Sequence, residues 1–303
     1  MSGDAALLDL LGLLKAAHYR FTAVTPATHA HVLERRCPRP DLRDIFGWNR
    51  PFEHHDLNPD LLNCLDCGSA LDRDGGTLRS RVRVASLGHD LFLHSEYPTL
   101  APDAVFFGPD TYRFARFVSE QIPVLPKAPK SVVDMGAGSG AGGIVAAHLI
   151  PGAHVRAVDV NLRALKYAAI NAEAASVELE PVQSSELPAG ADLVIANPPY
   201  IMDTGRRAYR DGGELYGGQV ARDWTRQALE TMASNGTMLL YSGAAFVNGH
   251  SPLIDALRSA CTEAGADLHL EETDPDVFGE ELAEPAYAKV ERIAVICATI
   301  RKA

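Results

Sequence analysis

Val132-Val133-Asp134-Met135-Gly136-Ala137-Gly138-Ser139-Gly140 decides the fold of this chain. A β-branched run enters a glycine-rich turn, and an apolar stretch at residues 144–149 follows at once. The spacing predicts a strand from Ser131 to Met135, a tight turn, and a helix around Ile144 to Leu149. Glycine lets the backbone bend sharply there and approach a ligand with no Cβ in the way. Such a loop lies at the carboxyl end of the first strand of an open α/β sheet, where ligands bind. Asp159 closes the next predicted strand, His154 to Val160, 25 residues after Asp134. A carboxylate at that place can accept both hydroxyls of a ribose, or cap the next helix. Gly138-x-Gly140-x-x-Gly143 also satisfies the dinucleotide-binding pattern, so the loop alone leaves the nucleotide open.

Outward from this loop, strand and helix alternate from about residue 101. Helices are expected at Thr111 to Gln121, Leu162 to Ala175, Ala221 to Ser234 and Leu253 to Ala264. Strands are expected at residues 177–182, 191–196, 237–242, 266–271 and 292–300. Short connections between alternating elements mean a mostly parallel sheet covered on both faces. Residues 1–100 read differently. A Leu- and Ala-rich helix over 5–21, a second from the cap pair Thr25-Pro26 towards Arg36, and a third around Leu61 to Leu65 precede a β-hairpin turning at Leu87-Gly88-His89-Asp90. We therefore expect two domains: residues 1–100, an accessory and substrate-recognition domain of winged-helix-like shape, and residues 101–303, a catalytic domain.

The second decisive stretch is Asn197-Pro198-Pro199-Tyr200, directly after the predicted strand Ala191 to Ala196. Two consecutive prolines fix φ and remove two N–H donors, which leaves a rigid loop rich in acceptors. A planar nitrogen is a poor nucleophile because its lone pair is delocalised. Acceptors that hold its N–H groups, and positioning opposite an electrophile, help it react. The Asn197 side-chain oxygen and the Pro198 carbonyl can supply those acceptors, and Tyr200 can pack on a flat amide or base. The order of Asp134, the glycine loop, Asp159 and this tetrapeptide resembles the class I S-adenosylmethionine (SAM)-dependent methyltransferases that modify nitrogen. An acid at Asp134 suits the methionine amino group of SAM, whereas a pyrophosphate has no use for it. Phe107-Gly108-Pro109-Asp110-Thr111, Ile201 and the glycine-rich stretch Gly212 to Gly218 are similar to segments of release-factor glutamine N5-methyltransferases, over roughly residues 101–250. Gly108 and Tyr112 depart from that family, which usually has Arg before the Pro and Glu after the Thr.

The resemblance implies an α/β, class I methyltransferase (Rossmann-like) fold, with a seven-stranded mostly parallel sheet and a smaller helical plus hairpin N-terminal domain. It implies an enzyme with SAM as cofactor, held by Thr111, Asp134, Gly136, Ala137, Gly138, Gly140, Asp159, Val160, Asn161, Ser185 and Asn197. The methyl acceptor would lie against Asn197, Pro198, Pro199 and Tyr200, with no metal. A protein glutamine amide is the favoured acceptor, and an exocyclic amino group of RNA or DNA is the alternative. A silent SAM-binding partner protein and a nicotinamide oxidoreductase are the rivals of other classes.

Composition bounds the partners. The 303 residues carry a formal charge of −11, which works against a long phosphate backbone. That charge is uneven: residues 1–100 hold 11 Lys+Arg against 13 Asp+Glu, and ten of the 11 are Arg. An anionic partner could therefore meet the N-terminal part locally. No apolar run reaches the length of a membrane span, and the N-terminal stretch lacks a basic leader, so a cytoplasmic, membrane-free protein is expected. The five cysteines are scattered and read as reduced thiols. Cys64-x-x-Cys67 has metal-ligand spacing but no second pair, and a plain loop is the simpler reading. Arg79, Arg81 and Arg83 are expected to share one solvated strand face.

Overall fold

The computed structural model describes residues 2–203, 207 and 209–303. Four helices, α1 (Gly3–Ala16), α2 (Pro26–Leu33), α3 (Leu42–Phe46) and α4 (Pro59–Cys67), come first. Two hairpins follow, β1 (Leu71–Asp74) with β2 (Thr77–Ser80), and β3 (Val82–Leu87) with β4 (Asp90–Ser95). The expected hairpin is thus present, and the β1–β2 hairpin and α3 are additions. Helix α1 ends five residues before the expected limit. His18 adopts a positive φ of 54°, and Tyr19 and Phe21 turn into the core. Arg83 departs from the expected solvated face: it is 4% exposed, and its Nε donates to the Ser95 carbonyl at 2.8 Å. Burial lowers its pKa to about 10. Cys64 and Cys67 lie on α4, the first buried and the second exposed.

The remaining elements are α5 (Pro109–Gln121), β5 (Ser131–Met135), α6 (Ala141–Leu149), β6 (His154–Asp159), α7 (Leu162–Ala174), β7 (Glu180–Gln183), β8 (Leu193–Ala196), α8 (Gln219–Thr231), β9 (Thr237–Phe246), α9 (Pro252–Ala264), β10 (Asp267–Asp274) and β11 (Arg292–Arg301). Seven strands form one sheet in the order β10-β11-β9-β8-β5-β6-β7. Every pairing among β5 to β9 is parallel, and β11 runs antiparallel to both of its neighbours. All ten residues of β9 and all four of β8 are buried, as expected for strands covered on both faces. Helices α8 and α9 cover one face, with Leu229 and Leu257 against Leu240 and Ile296. On the other face, Phe114 of α5 and Ala146 of α6 meet Ile195, Tyr241 and Val295.

The chain winds outward from β5 in both directions, so the loops after β5 and β8 diverge at the carboxyl edge. This switch point is where open α/β sheets hold ligands.

The N-terminal helices pack on α7: Leu7, Leu10 and Leu14 share a buried cluster with Ala164, Tyr167 and Ile170. One polar side chain ties this junction together. Asn171 of α7 is fully buried, accepts from Leu93 N at 2.8 Å, and donates through Nδ2 to Leu93 O at 3.2 Å and Ser139 O at 2.9 Å. It thus satisfies the free edge of β4 and a carbonyl of the glycine loop at once.

Candidate active site

The loops after β5, β6 and β8 enclose a cavity of about 350 Å³. Glycines supply the turn after β5. Gly136 has φ 71°, and a Cβ there would stand 2.6 Å from the Trp224 ring. Gly138 has φ 54° and donates its N–H to Asp159 Oδ2 at 2.9 Å. Asp159 Oδ1 takes the Asn161 N–H at 2.9 Å, so the carboxylate is held flat between the two loops. Burial raises its pKa.

Asp134 is 2% exposed and accepts the Gly143 N–H, in the first turn of α6, at 2.7 Å. Burial pushes its pKa up to about 7, against the pull of the Gly143 bond. This use of the N–H groups argues against a pyrophosphate. Two donors of the loop already serve carboxylates, and a phosphate would meet Asp134 and Asp159 at close range. A cationic ligand fits instead: it would compensate the buried Asp134 charge, while the spare lone pairs of Asp159 remain for hydroxyls.

Of the residues expected at the cofactor, Thr111, Asp134, Gly136, Ala137, Gly138, Asp159, Val160, Asn161, Ser185 and Asn197 line the cavity. Gly140 is absent from the lining. It caps α6 at φ 79° and faces α7, where a Cβ would stand 3.0 Å from that of Ala168. Its glycine serves packing. Two side chains are also engaged elsewhere. Asn161 Oδ1 caps α7 through Arg163 N, and its Nδ2 donates to Asp103 O. The Thr111 hydroxyl accepts the Gly108 N–H at 3.2 Å.

Asn197, Pro198, Pro199 and Tyr200 form the facing wall. Asn197 Oδ1 is buried and has no hydrogen-bond partner among the described residues. Tyr200 is only 8% exposed, and its ring lies between Gly243 and Phe278. Burial, and then Asp110, raise its pKa, so the hydroxyl stays protonated. Asp110 in turn accepts from Tyr241 OH at 2.8 Å and pairs with Arg113, which reaches Asp274 at 3.1 Å. Tyr200 is therefore a fixed wall rather than a free stacking ring.

Several lining residues carry no signal in the sequence. Trp224 enters from α8, and Pro26 from the start of α2. Phe106 and Tyr209 present parallel rings with centroids 6.1 Å apart and 6° between planes. Tyr209 OH donates to Thr99 O at 2.8 Å. Phe278 sits at φ 56° and ψ 37° and meets Tyr200 edge to face at 5.7 Å. A left-handed phenylalanine is costly, and such outliers gather at functional sites. Among the described residues no group of three or more His, Cys, Asp or Glu could hold a metal ion, and no helix is long and apolar enough to cross a membrane.

This sheet order, with the cavity at its switch point, is the class I methyltransferase (Rossmann-like) fold. Residues 116–259 match the model of the family described as methyltransferase small domain. The release factor glutamine methyltransferase of Mycobacterium leprae (strain TN) is 37% identical over 140 residues, which are 43% of this chain and 48% of that protein. The alignment thus spans about half of the relative's length. Among solved structures, Trm5b from Pyrococcus abyssi is similar with a TM-score of 0.51 and 16% identity, over 76% of this chain and 62% of that one. M. jannaschii TYW2, solved in complex with AdoMet, has a TM-score of 0.48 and 16% identity, over 74% and 87% of the two chains. At such identity the likeness to Trm5b is one of fold.

Asp134 gives a testable sign. A folded pKa near 7 stands above the unfolded value of about 3.9. The protonated form therefore favours folding below about pH 4, and that contribution is lost as pH rises through 7. Asp134→Asn should stabilise the ligand-free protein at pH 8 by on the order of 1–3 kcal/mol, with the gap closing towards pH 4. The same variant should lose the thermal shift induced by SAM. Denaturant melts across pH, with and without SAM, check both, and a less stable variant at pH 8 would overturn the burial argument.

Proposed function

We propose that the protein transfers the methyl group of SAM to a planar, N–H-bearing nitrogen, and that the favoured acceptor is the side-chain amide of a protein glutamine. The observation that carries this reading is Asn197 Oδ1, a buried acceptor without a donor among the described residues, in the wall that faces the glycine loop. Left unpaired, such an oxygen costs about 1–3 kcal/mol, and an N–H of the acceptor would remove that cost. Bound SAM supplies an electrophilic methyl group on a sulfonium sulfur. Asp134 and the loop Gly136 to Gly138 seat the methionine end, Asp159 holds the ribose, and Val160, Asn161 and Ser185 border the adenosine. Asn197 and the Pro198 carbonyl orient the nitrogen, and Pro199 and Tyr200 keep that loop rigid. Residues 1–100 serve as the accessory, substrate-recognition part and residues 101–303 as the catalytic part.

The acceptor class draws support from the named activity of the M. leprae relative. A second reading, an exocyclic amino group of RNA or DNA, is favoured by the parallel Phe106 and Tyr209 rings, which suit a base. Cell extract incubated with the enzyme and methyl-labelled SAM, then treated with protease or nuclease, separates the two. Label released by protease is expected. Label that survives protease and is lost to nuclease would overturn the amide reading.

A further inference from the structure

Among the described residues, a run of exposed cations follows the end of α2, and its position relative to the cavity gives it meaning. Residues 18–50 hold six arginines against three acids, in a chain whose formal charge is −11. Arg35, Arg36, Arg39 and Arg43 are all exposed and form no ion pair among the described residues. The local acids are already engaged. Glu34 faces His31 at 3.5 Å, Asp41 caps α3 through Arg43 N and Asp44 N, and Asp44 pairs with Arg50 at 3.3 Å. Pro38 and Pro40 restrain the backbone between them.

This patch begins where α2 ends, and the other end of α2, Pro26, lines the methyltransferase cavity. Eight residues of helix span roughly 12 Å. A partner lying on the arginines thus reaches the mouth of the cavity. The residue type narrows its chemistry: every cation of the patch is Arg, whose planar fork matches phosphate oxygens bidentately, and none is Lys.

We propose that Arg35, Arg36, Arg39 and Arg43 form a docking surface for the phosphate backbone of an RNA strand that lies beside the methyl acceptor. The inference goes beyond the acceptor assignment, because a glutamine in a ribonucleoprotein and an amino group of RNA would both reach the site across this surface.

The test is fluorescence anisotropy of a labelled single-stranded RNA of about 20 nucleotides, titrated with the full chain over a series of salt concentrations. Wild type should bind at low salt, with a log–log salt slope of about −2 to −3 from four phosphate contacts. The R35Q/R36Q/R39Q/R43Q variant should lose at least tenfold in affinity and flatten that slope, while its thermal shift with SAM stays that of wild type. Absent RNA binding, or binding undiminished in the variant, would overturn the proposal. A polyglutamate peptide bound as tightly as the RNA would overturn it too, by assigning the surface to acidic proteins. No arm uses methyl transfer, so failure here and failure of the acceptor reading are told apart.

Discussion

Asn197→Ala is expected to remove methyl transfer and leave SAM binding intact. The substitution deletes the oxygen that holds the acceptor's N–H, an interaction that matters most as the nitrogen lone pair turns towards the methyl group. Loss of one such positioned group costs about 10²–10³ in kcat, or roughly 3–4 kcal/mol. The groups proposed to hold the cofactor, Asp134 and Asp159, are fixed by the Gly143 and Gly138 N–H groups and not by Asn197. The thermal shift with SAM should therefore match wild type, and label incorporation should fall to background. Activity within tenfold of wild type would remove Asn197 from the role given to it.

Asn171→Ala should produce the largest loss of stability. Its carboxamide makes three buried hydrogen bonds, and truncation leaves Leu93 N, Leu93 O and Ser139 O without it. Each orphaned group costs about 1–3 kcal/mol, and neighbouring losses do not add fully. We expect about 3–5 kcal/mol from denaturant melts. The loss should come with weaker SAM binding, because Ser139 belongs to the glycine loop. Leu91→Ala is the comparison: Leu91 packs in the N-terminal core on the same strand, β4. It should destabilise the fold while leaving SAM affinity nearer to wild type. Equal SAM affinities for the two variants would deny Asn171 any hold on the loop.

These effects show where sequence reading succeeds. The glycine loop, Asp159 and the tetrapeptide are local patterns. Their chemistry depends on neighbours within a few residues, so their place at the switch point could be anticipated. Strands β5, β6, β8, β9 and β11 are apolar enough to be read from the same signal. Helix α3 and the β1–β2 hairpin escaped because five-residue and four-residue elements carry no usable period. Strand β7 runs over Glu180–Gln183, further along than the apolar residues 177–182 suggested. Val177 and Leu179 instead pack against the cluster that holds Ile144 and Phe107. Arg83 looked like one of three surface arginines. Nothing in its local sequence says that Ser95 O would be waiting for it. In the site, Trp224, Tyr209 and Phe278 are placed by tertiary structure alone. Gly140 matched the loop pattern yet serves helix packing, because a glycine needed for a left-handed cap looks the same in sequence as one needed for a ligand.

The reversed strand β11 imposes an order on synthesis. It lies between β9 and β10 and pairs with Thr237–Phe246 along ten residues, yet it is made after both. At 5–20 residues per second, the stretch from Asp274 to Arg301 takes a few seconds to emerge. Through that interval one edge of β9, a strand buried along its whole length in the finished fold, has no partner, while β5, β6 and β8 have already been made. The nascent chain can thus close its cofactor loops before its sheet is finished. The exposed β9 edge is the point at which a trigger chaperone would be needed, or at which a stalled chain would aggregate.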